Sequence, residues 1–207
     1  RTNTRRSRRL SGRKSDARSL NRETLRRQLR GRHALQWPRQ SEVQHGDLHV
    51  YTDGSASKWR GQWRAGCGVW FDDNSPFNIS TNPRGRQTSN RADLTAVILA
   101  LRKARTWPTL YRKLTIFSDS RYVVDGVNKY MQRWKIDGWT RSGAPLRNVD
   151  LWKLLDRALR GYHEDGIDIV VEHVPAHVGI HGNERADRLA KAAVKRAHHN
   201  RITRSSG

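Results

Sequence analysis

The order of the apolar segments restricts the fold of this chain more than any other feature. Three short strand-like runs come first, at residues 48–53, 65–71 and 76–81. After them, helical and strand-like patterns alternate, as in a sheet that is extended by strand–helix units. Strands joined by short turns pair antiparallel, whereas strands joined through helices pair in parallel. The order therefore predicts an α/β fold: a mixed five-stranded sheet, three antiparallel strands followed by βα units, with helices on both faces.

The elements after the third strand are predicted from periodicity. Leu94, Val97, Ile98 and Leu101 recur at helical spacing, which predicts the first helix over residues 90–105. Further strands are predicted at residues 113–118 and 167–174, and further helices at residues 120–130, 149–162 and 182–198.

Composition then limits the class of partner. The chain has 207 residues and carries 41 Lys and Arg against 19 Asp and Glu, a net charge of +22. Such an excess indicates a polyanion, and nucleic acid ranks ahead of membrane because no strongly amphipathic apolar face is evident. No apolar run is long enough to span a bilayer, and the single cysteine, Cys67, excludes an internal disulfide framework and a Cys-rich zinc site.

Half of the charge excess lies at the beginning of the chain. Residues 1–46 hold fourteen Lys and Arg against three acids, with few large apolar side chains. We expect a basic arm that is disordered or ordered by a partner, with a short helix over residues 19–31, and that binds nucleic-acid backbone. The predicted organisation is this arm, a folded domain at residues 47–197 and a C-terminal tail at residues 198–207.

The composition of the arm also gives an expectation for cellular localisation. Its Arg-rich, acid-poor composition fits a mitochondrial transit segment and equally a nuclear import signal, so we expect an intracellular protein of the nucleus or the mitochondrion. The only methionine is Met131, which favours a fragment, a processed product or one part of a longer polypeptide.

Four carboxylates stand out in so basic a chain. Asp53 closes the first strand, Asp119 follows the fourth, Asp93 begins the first helix and Asp187 lies one turn inside the last. Strand ends are where open sheets place their chemistry, so these acids are candidates to converge. Clustered carboxylates bind hard cations such as Mg²⁺ through oxygen.

Each acid also has a local explanation. The turn signal at residues 53–55, helix capping at residues 119–120 and a first-turn acid at Asp93 are ordinary uses of Asp. Asp187 has cationic neighbours for an ion pair in Arg188 and Lys191.

The surroundings of these acids form an ordered set of motifs. They are YTDGS at residues 51–55, QTSNRADLTA at 87–96, SDS at 118–120 and HVGIHGNERADRLA at 177–190. In order and spacing the set resembles the type 1 ribonuclease H family, from about residue 48 to residue 195. The resemblance implies a ribonuclease H-like fold and an endoribonuclease that hydrolyses the RNA strand of RNA–DNA hybrids without sequence preference. It also implies two Mg²⁺ ions per site, with Mn²⁺ as an alternative.

The resemblance further implies roles for individual residues. Asp53 would bridge both ions, Asp93 and Asp119 would complete the shell of one, and Asp187 would help to hold the other. His177 would be a mobile group that moves protons or helps product leave; as a loop histidine it also has the alternative of no role. Asn183 and Glu184 are read as caps of the last helix.

Position 93 departs from the family pattern. The family has Glu after Arg-Ala, and this chain has Asp93, which is one methylene shorter. Because Mg²⁺ demands close geometry, the shorter acid would weaken one ion, shift the preference toward Mn²⁺ or be accommodated by a small movement of the helix. We expect reduced or retuned activity. The alternative is a non-catalytic relative that serves as a nucleic-acid-binding or structural module.

The resemblance also implies a hybrid-binding surface. Residues 129–142 interleave cations and aromatics like the basic protrusion of type 1 enzymes; their alternative is that the aromatics belong to the core. The implied DNA-strand contacts are Tyr130, Trp134 and Ser142. The implied phosphate pocket is Arg86, Thr88 and Asn148, and the implied RNA-strand contacts are Ser89 and Asn90.

Two questions stay open at this level. Trp59 and Trp63 lie among cations between the first two strands and would either contact nucleic acid or rigidify a hairpin. The chain would be a cellular enzyme or the ribonuclease H domain of a retroelement or viral polyprotein. We expect a monomer or a component of a larger nucleoprotein assembly.

Overall fold

The structure, a computed structural model, describes residues 46–106 and 111–205. The strands are β1 (Gly46–Trp59), β2 (Gln62–Trp70), β3 (Ile79–Thr81), β4 (Tyr111–Ser118), β5 (Thr140–Arg141), β6 (Ala144–Pro145) and β7 (Asp168–His173). The helices are α1 (Ser89–Ala104), α2 (Arg121–Asp125), a π-helical turn (Gly126–Tyr130), α3 (Met131–Ile136), α4 (Val149–Glu164) and α5 (His181–Ser205).

The main sheet has the predicted mixed topology. Its five strands lie in the order β3-β2-β1-β4-β7. β2 pairs antiparallel with β1 and β3, whereas β4 pairs in parallel with β1 and β7. Arg60 and Gly61 form the two-residue turn between β1 and β2, and both have positive φ (46° and 76°), as a type I′ hairpin turn requires.

Glycines let two helices approach the sheet from opposite sides. A Cβ atom on Gly54 would overlap the backbone of Asp93 in α1, and Cβ atoms on Gly66 and Gly68 would overlap the backbone of α5. Gly54 is paired with Cys67, the residue between those two glycines. Because successive residues of a strand point to opposite faces, α1 and α5 cover opposite faces of the sheet, as predicted.

The core lies between the sheet and these helices. α1 buries Leu94, Val97 and Leu101 completely, at the spacing from which the helix was predicted. α4 adds Trp152 and Tyr162, and the Tyr162 hydroxyl donates to the Leu101 carbonyl at 2.6 Å. Burial of these side chains stabilises the domain by roughly 1.5–3 kcal/mol each.

Several boundaries differ from the prediction. α1 begins at Ser89, since the Thr88 hydroxyl accepts a hydrogen bond from the Arg91 N–H and caps it. Asp93 is therefore in the second turn, and its assignment as a first-turn acid is wrong. α5 continues to Ser205, into the predicted C-terminal tail.

Two short elements were not predicted, and one predicted segment lies outside the described residues. The π-helical turn and the small β5–β6 ribbon have short, weak patterns in the sequence. The arm and its helix over residues 19–31 lie outside the described residues, except for Gly46, which begins β1. Within the described ranges, none of the helices has the length and apolarity to cross a membrane.

Candidate active site

Asp53 and Asp119 lie side by side at the point where β4 ends. Asp53 is an internal residue of β1, which continues to Trp59, so the prediction that Asp53 closes the first strand is wrong. The parallel pairing of β1 with β4 ends where Thr52 faces Ser118, so the next residue of each strand is one of these acids. Asp53 is 8% exposed. Burial, followed by the charges of Asp119 and Asp187, raises the pKa of Asp53 to about 7.

Asp93 reaches the same edge from α1. It is buried, and the absence of a side chain on Gly54 makes room for its backbone and its Oδ1 atom. Ser120 donates from Oγ to Asp93 Oδ2 at 2.9 Å. Burial and the charge of Asp53 raise the pKa of Asp93 to about 8. The Ser120 hydroxyl thus binds Asp93 and makes no capping hydrogen bond to α2.

Asp119 is oriented by a residue from α5. Asn183 is 2% exposed and donates from Nδ2 to Asp119 Oδ2 at 3.0 Å. Its Oδ1 atom is buried and has no hydrogen-bond partner within the described part of the chain. The interpretation of Asn183 as a helix cap is therefore wrong. The signal that would have found it is a polar side chain one turn before Asp187 in a helix that packs on the sheet.

Asp187 completes the group from α5. Its Oδ2 lies 2.8 Å from Lys191 Nζ, one turn further along the helix. This is one of the two ion pairs that the sequence offered. The charge of Asp187 nevertheless raises the pKa of Asp53, and that of Lys191 lowers it, so both side chains act on the carboxylate cluster.

The donor set fits a hard divalent cation. It consists of carboxylate oxygens that repel one another, together with the unsatisfied amide oxygen of Asn183, and such oxygens are the ligands that Mg²⁺ prefers. In the described ranges no three acidic, histidine or cysteine side chains are close enough to hold one ion. Three of the acids instead contact the hydrogen-bonding neighbours Ser120, Asn183 and Lys191.

His177 lies in the loop between β7 and α5. It is exposed, and its backbone has φ 57°, a left-handed conformation that is uncommon for a residue other than glycine. An exposed imidazole on such a loop is accessible to solvent and to a ligand. Its role in proton movement stays a prediction.

The candidate phosphate pocket is assembled by an arginine that the sequence analysis missed. Arg91 forms two hydrogen bonds with the Asp150 carboxylate (3.0 and 2.5 Å), donates to Asn148 Oδ1 at 3.4 Å and donates to the Arg84 carbonyl at 2.6 Å. It thereby ties the loop before α1 to the beginning of α4. Arg86 and Thr88 of that loop and Ser89 and Asn90 of the first turn of α1 are exposed.

The candidate DNA-strand surface lies on the protrusion between α2 and α4. Tyr130 is 50% exposed and lies 5.7 Å from the half-buried Trp134, ring centroid to ring centroid. Trp134 also contacts the core residue Trp152 at 5.1 Å, so this ring belongs to the core and to the surface. Ser142 is exposed. Tyr130, Trp134 and Ser142 line one cavity of about 660 Å³. Its full lining is Tyr130, Arg133, Trp134, Asp137, Thr140, Arg141, Ser142 and Gly143.

The chain is similar in sequence to known proteins. The model of the RNase H family matches residues 45–195. Ribonuclease H1 of Homo sapiens is 37% identical over 150 residues, which cover 72% of this chain and 50% of that protein. Ribonuclease H of Alcanivorax borkumensis is 36% identical over 151 residues, which cover 72% of this chain and 93% of that protein.

A solved structure agrees with these relatives. LC9-RNase H1, a type 1 RNase H with the type 2 active-site motif, has a TM-score of 0.59 at 27% identity, and the match covers 74% of each chain. The chain spans about half the length of the mammalian Ribonuclease H1 proteins that it matches. With the mixed sheet and the acids at its edge already described, these matches establish that the chain belongs to the RNase H family.

Proposed function

We propose that this protein is an endoribonuclease that hydrolyses the RNA strand of RNA–DNA hybrids. The observation that carries the proposal is the meeting of Asp53 and Asp119 at one sheet edge, with Asp93 and Asp187 brought in by two helices. A sheet edge that concentrates four acids in a chain of net charge +22 is suited to phosphodiester chemistry, because cations hold the backbone while acids hold metal.

The RNase H family generally uses divalent metal ions. We assign Asp53, Asp93, Asp119 and Asp187 as the residues that would hold them, with two Mg²⁺ ions as the expected complement. Such ions, when bound, activate water and stabilise the charge of the leaving oxygen. The raised pKa values of Asp53 and Asp93 support this assignment, since a cation relieves the repulsion that favours their protonated forms.

The chain's own residues prepare the site. Ser120 and Asn183 fix the orientation of Asp93 and Asp119 through single hydrogen bonds. Lys191 forms an ion pair with Asp187 at 2.8 Å. His177 is the candidate to accept or deliver a proton from its exposed loop.

Two surfaces would hold the substrate. Arg86, Thr88 and Asn148 would bind a phosphate of the DNA strand, and Tyr130, Trp134 and Ser142 would contact its sugars. Ser89 and Asn90 would meet the RNA strand. Backbone contacts carry no base code, so we expect cleavage without sequence preference.

The remaining expectations complete the proposal. The basic arm of residues 1–46 would tether nucleic acid electrostatically, and the protein would act in the nucleus or the mitochondrion, as a monomer or within a nucleoprotein assembly. Its high positive charge supports binding that weakens steeply with salt.

The proposal is tested with a panel of labelled duplexes. Hybrids labelled on the RNA strand or on the DNA strand, an RNA duplex and a DNA duplex are incubated with the protein and Mg²⁺, and the products are separated by length. We expect internal cuts in the RNA of the hybrid alone. Tight binding of the hybrid without cutting in Mg²⁺ or Mn²⁺ would favour the non-catalytic module, for which the shortened Asp93 is the specific reason.

A further inference from the structure

The tip of the β1–β2 hairpin exposes two tryptophans. Residues 57–63 are all exposed, and within them Trp59 and Trp63 expose 40% and 52% of their surface. The tip lies six residues along β1 from Asp53, roughly 20 Å at the rise of a strand. It is therefore a surface separate from the carboxylate cluster.

The two indoles do not pack on each other, and Trp63 is the more exposed of the two. Trp63 is paired with Lys58, and Trp59 with Gln62. Since adjacent residues of a strand point to opposite faces, the two indoles lie on different faces of the ribbon and do not pack on each other. The ring centroids of Trp59 and His198 are 5.7 Å apart, and the guanidinium carbon of Arg60 lies 4.5 Å from the centroid of the Trp59 ring. Trp63 is the more open ring.

The charge around the indoles selects the class of ligand. Residues 54–71 contain Lys58, Arg60 and Arg64 and no acidic residue. Lys58 lies directly opposite Trp63 on the same face, so one ligand can contact both. An aromatic ring beside cations suits a base attached to a phosphate, and an unpaired base offers its face where a stacked duplex does not.

We propose that the hairpin tip is a binding site for single-stranded nucleic acid, in which Trp63 stacks on an unpaired base and Lys58 contacts the adjoining phosphate. Arg60 and Arg64 add positive charge along the strand. The site extends beyond the proposed hydrolysis and does not depend on it, because binding here requires neither metal nor the carboxylates.

The test measures the affinity of the full chain for a fluorescein-labelled oligothymidylate by anisotropy, in EDTA and over a series of KCl concentrations. Salt suppresses the contribution of the basic arm but leaves stacking. We expect Trp63→Ala to weaken binding about tenfold at every salt concentration, as loss of one stacked base does. Lys58→Gln should instead reduce the slope of log affinity against log salt by about 0.7.

Matched variants separate stacking from damage to the fold. Trp63→Phe keeps a ring and should retain most of the affinity. Lys153→Gln removes an exposed cation of α4 and, unlike Lys58→Gln, should leave the affinity and its salt dependence as in the unaltered protein. Thermal unfolding verifies that each variant is folded. Unchanged affinity in Trp63→Ala, or an equal loss for a blunt-ended hybrid, would overturn the proposal; the former would leave a protein partner as the occupant of the tip.

The outcome is independent of hydrolysis. Failure of the proposed function would appear as absence of cutting in Mg²⁺, whereas failure of this proposal would appear in EDTA as unaltered single-strand binding.

Discussion

Three of the four acids of the site each contact one neighbouring polar side chain. Ser120 donates a hydrogen bond to Asp93, Asn183 donates one to Asp119, and Lys191 donates one to Asp187. Partners of this kind fix a carboxylate in one orientation, and their loss typically costs metal affinity or activity. At the scale of single residues, the site is therefore defined as much by its polar neighbours as by its acids.

The length of the side chain at position 93 should set the choice of metal. Asp93→Glu moves the carboxylate outward by about one carbon–carbon bond from a backbone held against Gly54. We expect the ratio of hydrolysis rates in Mg²⁺ and Mn²⁺ to rise. The control is Asp168→Glu, the same change at an exposed residue of β7. An identical ratio in Asp93→Glu and in the unaltered protein would show that the shorter acid is not limiting.

Asn183 should be needed for activity rather than for folding alone. Asn183→Ala leaves Asp119 without its buried donor, and we expect hydrolysis to fall about 10- to 100-fold. Asn128→Ala also removes an amide donor, which bonds to the Val171 carbonyl at 2.8 Å, but outside the site. Initial rates are compared at equal concentrations of folded protein. Equal rates in the two variants would contradict a role for Asn183 in the site.

At the scale of elements, the site depends on how closely α1 approaches β1. Gly54 is the contact point, because any Cβ there would overlap the Asp93 backbone. α5 approaches the other face in the same manner over Gly66 and Gly68. The two helices deliver Asp93 and Asp187 to strands that already carry Asp53 and Asp119.

A methyl group on Gly54 should disrupt this contact. We expect Gly54→Ala to lower the free energy of unfolding by about 1–3 kcal/mol through overpacking and to reduce hydrolysis, since Asp93 must move. Chemical denaturation and initial rates measure the two effects. Ser55→Ala, the next position of β1, serves as the control for stability. A Gly54→Ala variant with unaltered stability would mean that α1 shifts without cost.

Periodicity was sufficient for the five strands of the main sheet and for the helices α1, α4 and α5, but it was insufficient for the short elements between residues 126 and 145 and for contacts between elements. The α1 core positions Leu94 and Leu101 and the place of Asp119 directly after β4 follow from patterns within one segment. The link of Asn183 to Asp119, across 64 residues, and the clamp of Arg91 on Asp150, across 59 residues, arise only when separate elements meet. Local sequence therefore misassigned Asn183 as a cap and passed over Arg91.

The whole molecule combines a very basic chain with an acidic site that resists ionisation. Asp53 and Asp93 titrate at about 7 and about 8 in the folded protein, against 3.8 for an ordinary Asp. Between pH 3.8 and about pH 8, these two carboxyl groups hold protons in the folded state that they have lost in the unfolded state. Stability contributed by these two groups is therefore present at low pH and decreases as pH rises toward 8.

Metal should reverse this pH dependence. In EDTA, we expect the midpoint temperature of thermal unfolding to decrease as the pH is raised from about 5 to about 8. Mg²⁺ should raise this temperature most near pH 8, where the carboxylates are ionised. The double variant Asp53→Asn, Asp93→Asn should show a flatter profile and little response to Mg²⁺. An equal response to Mg²⁺ in the double variant would place the ion elsewhere in the chain.

The most direct test of the central claim is strand-specific cleavage of a labelled RNA–DNA hybrid by the full chain in Mg²⁺, beside Asp119→Asn and the control Asp168→Asn. Asp119→Asn keeps the shape of the side chain and the contact with Asn183 while removing the charge that would bind metal. We predict internal cuts in the RNA strand that persist in Asp168→Asn and disappear in Asp119→Asn. Cutting that survives Asp119→Asn would contradict the assignment of the sheet-edge acids as the catalytic site.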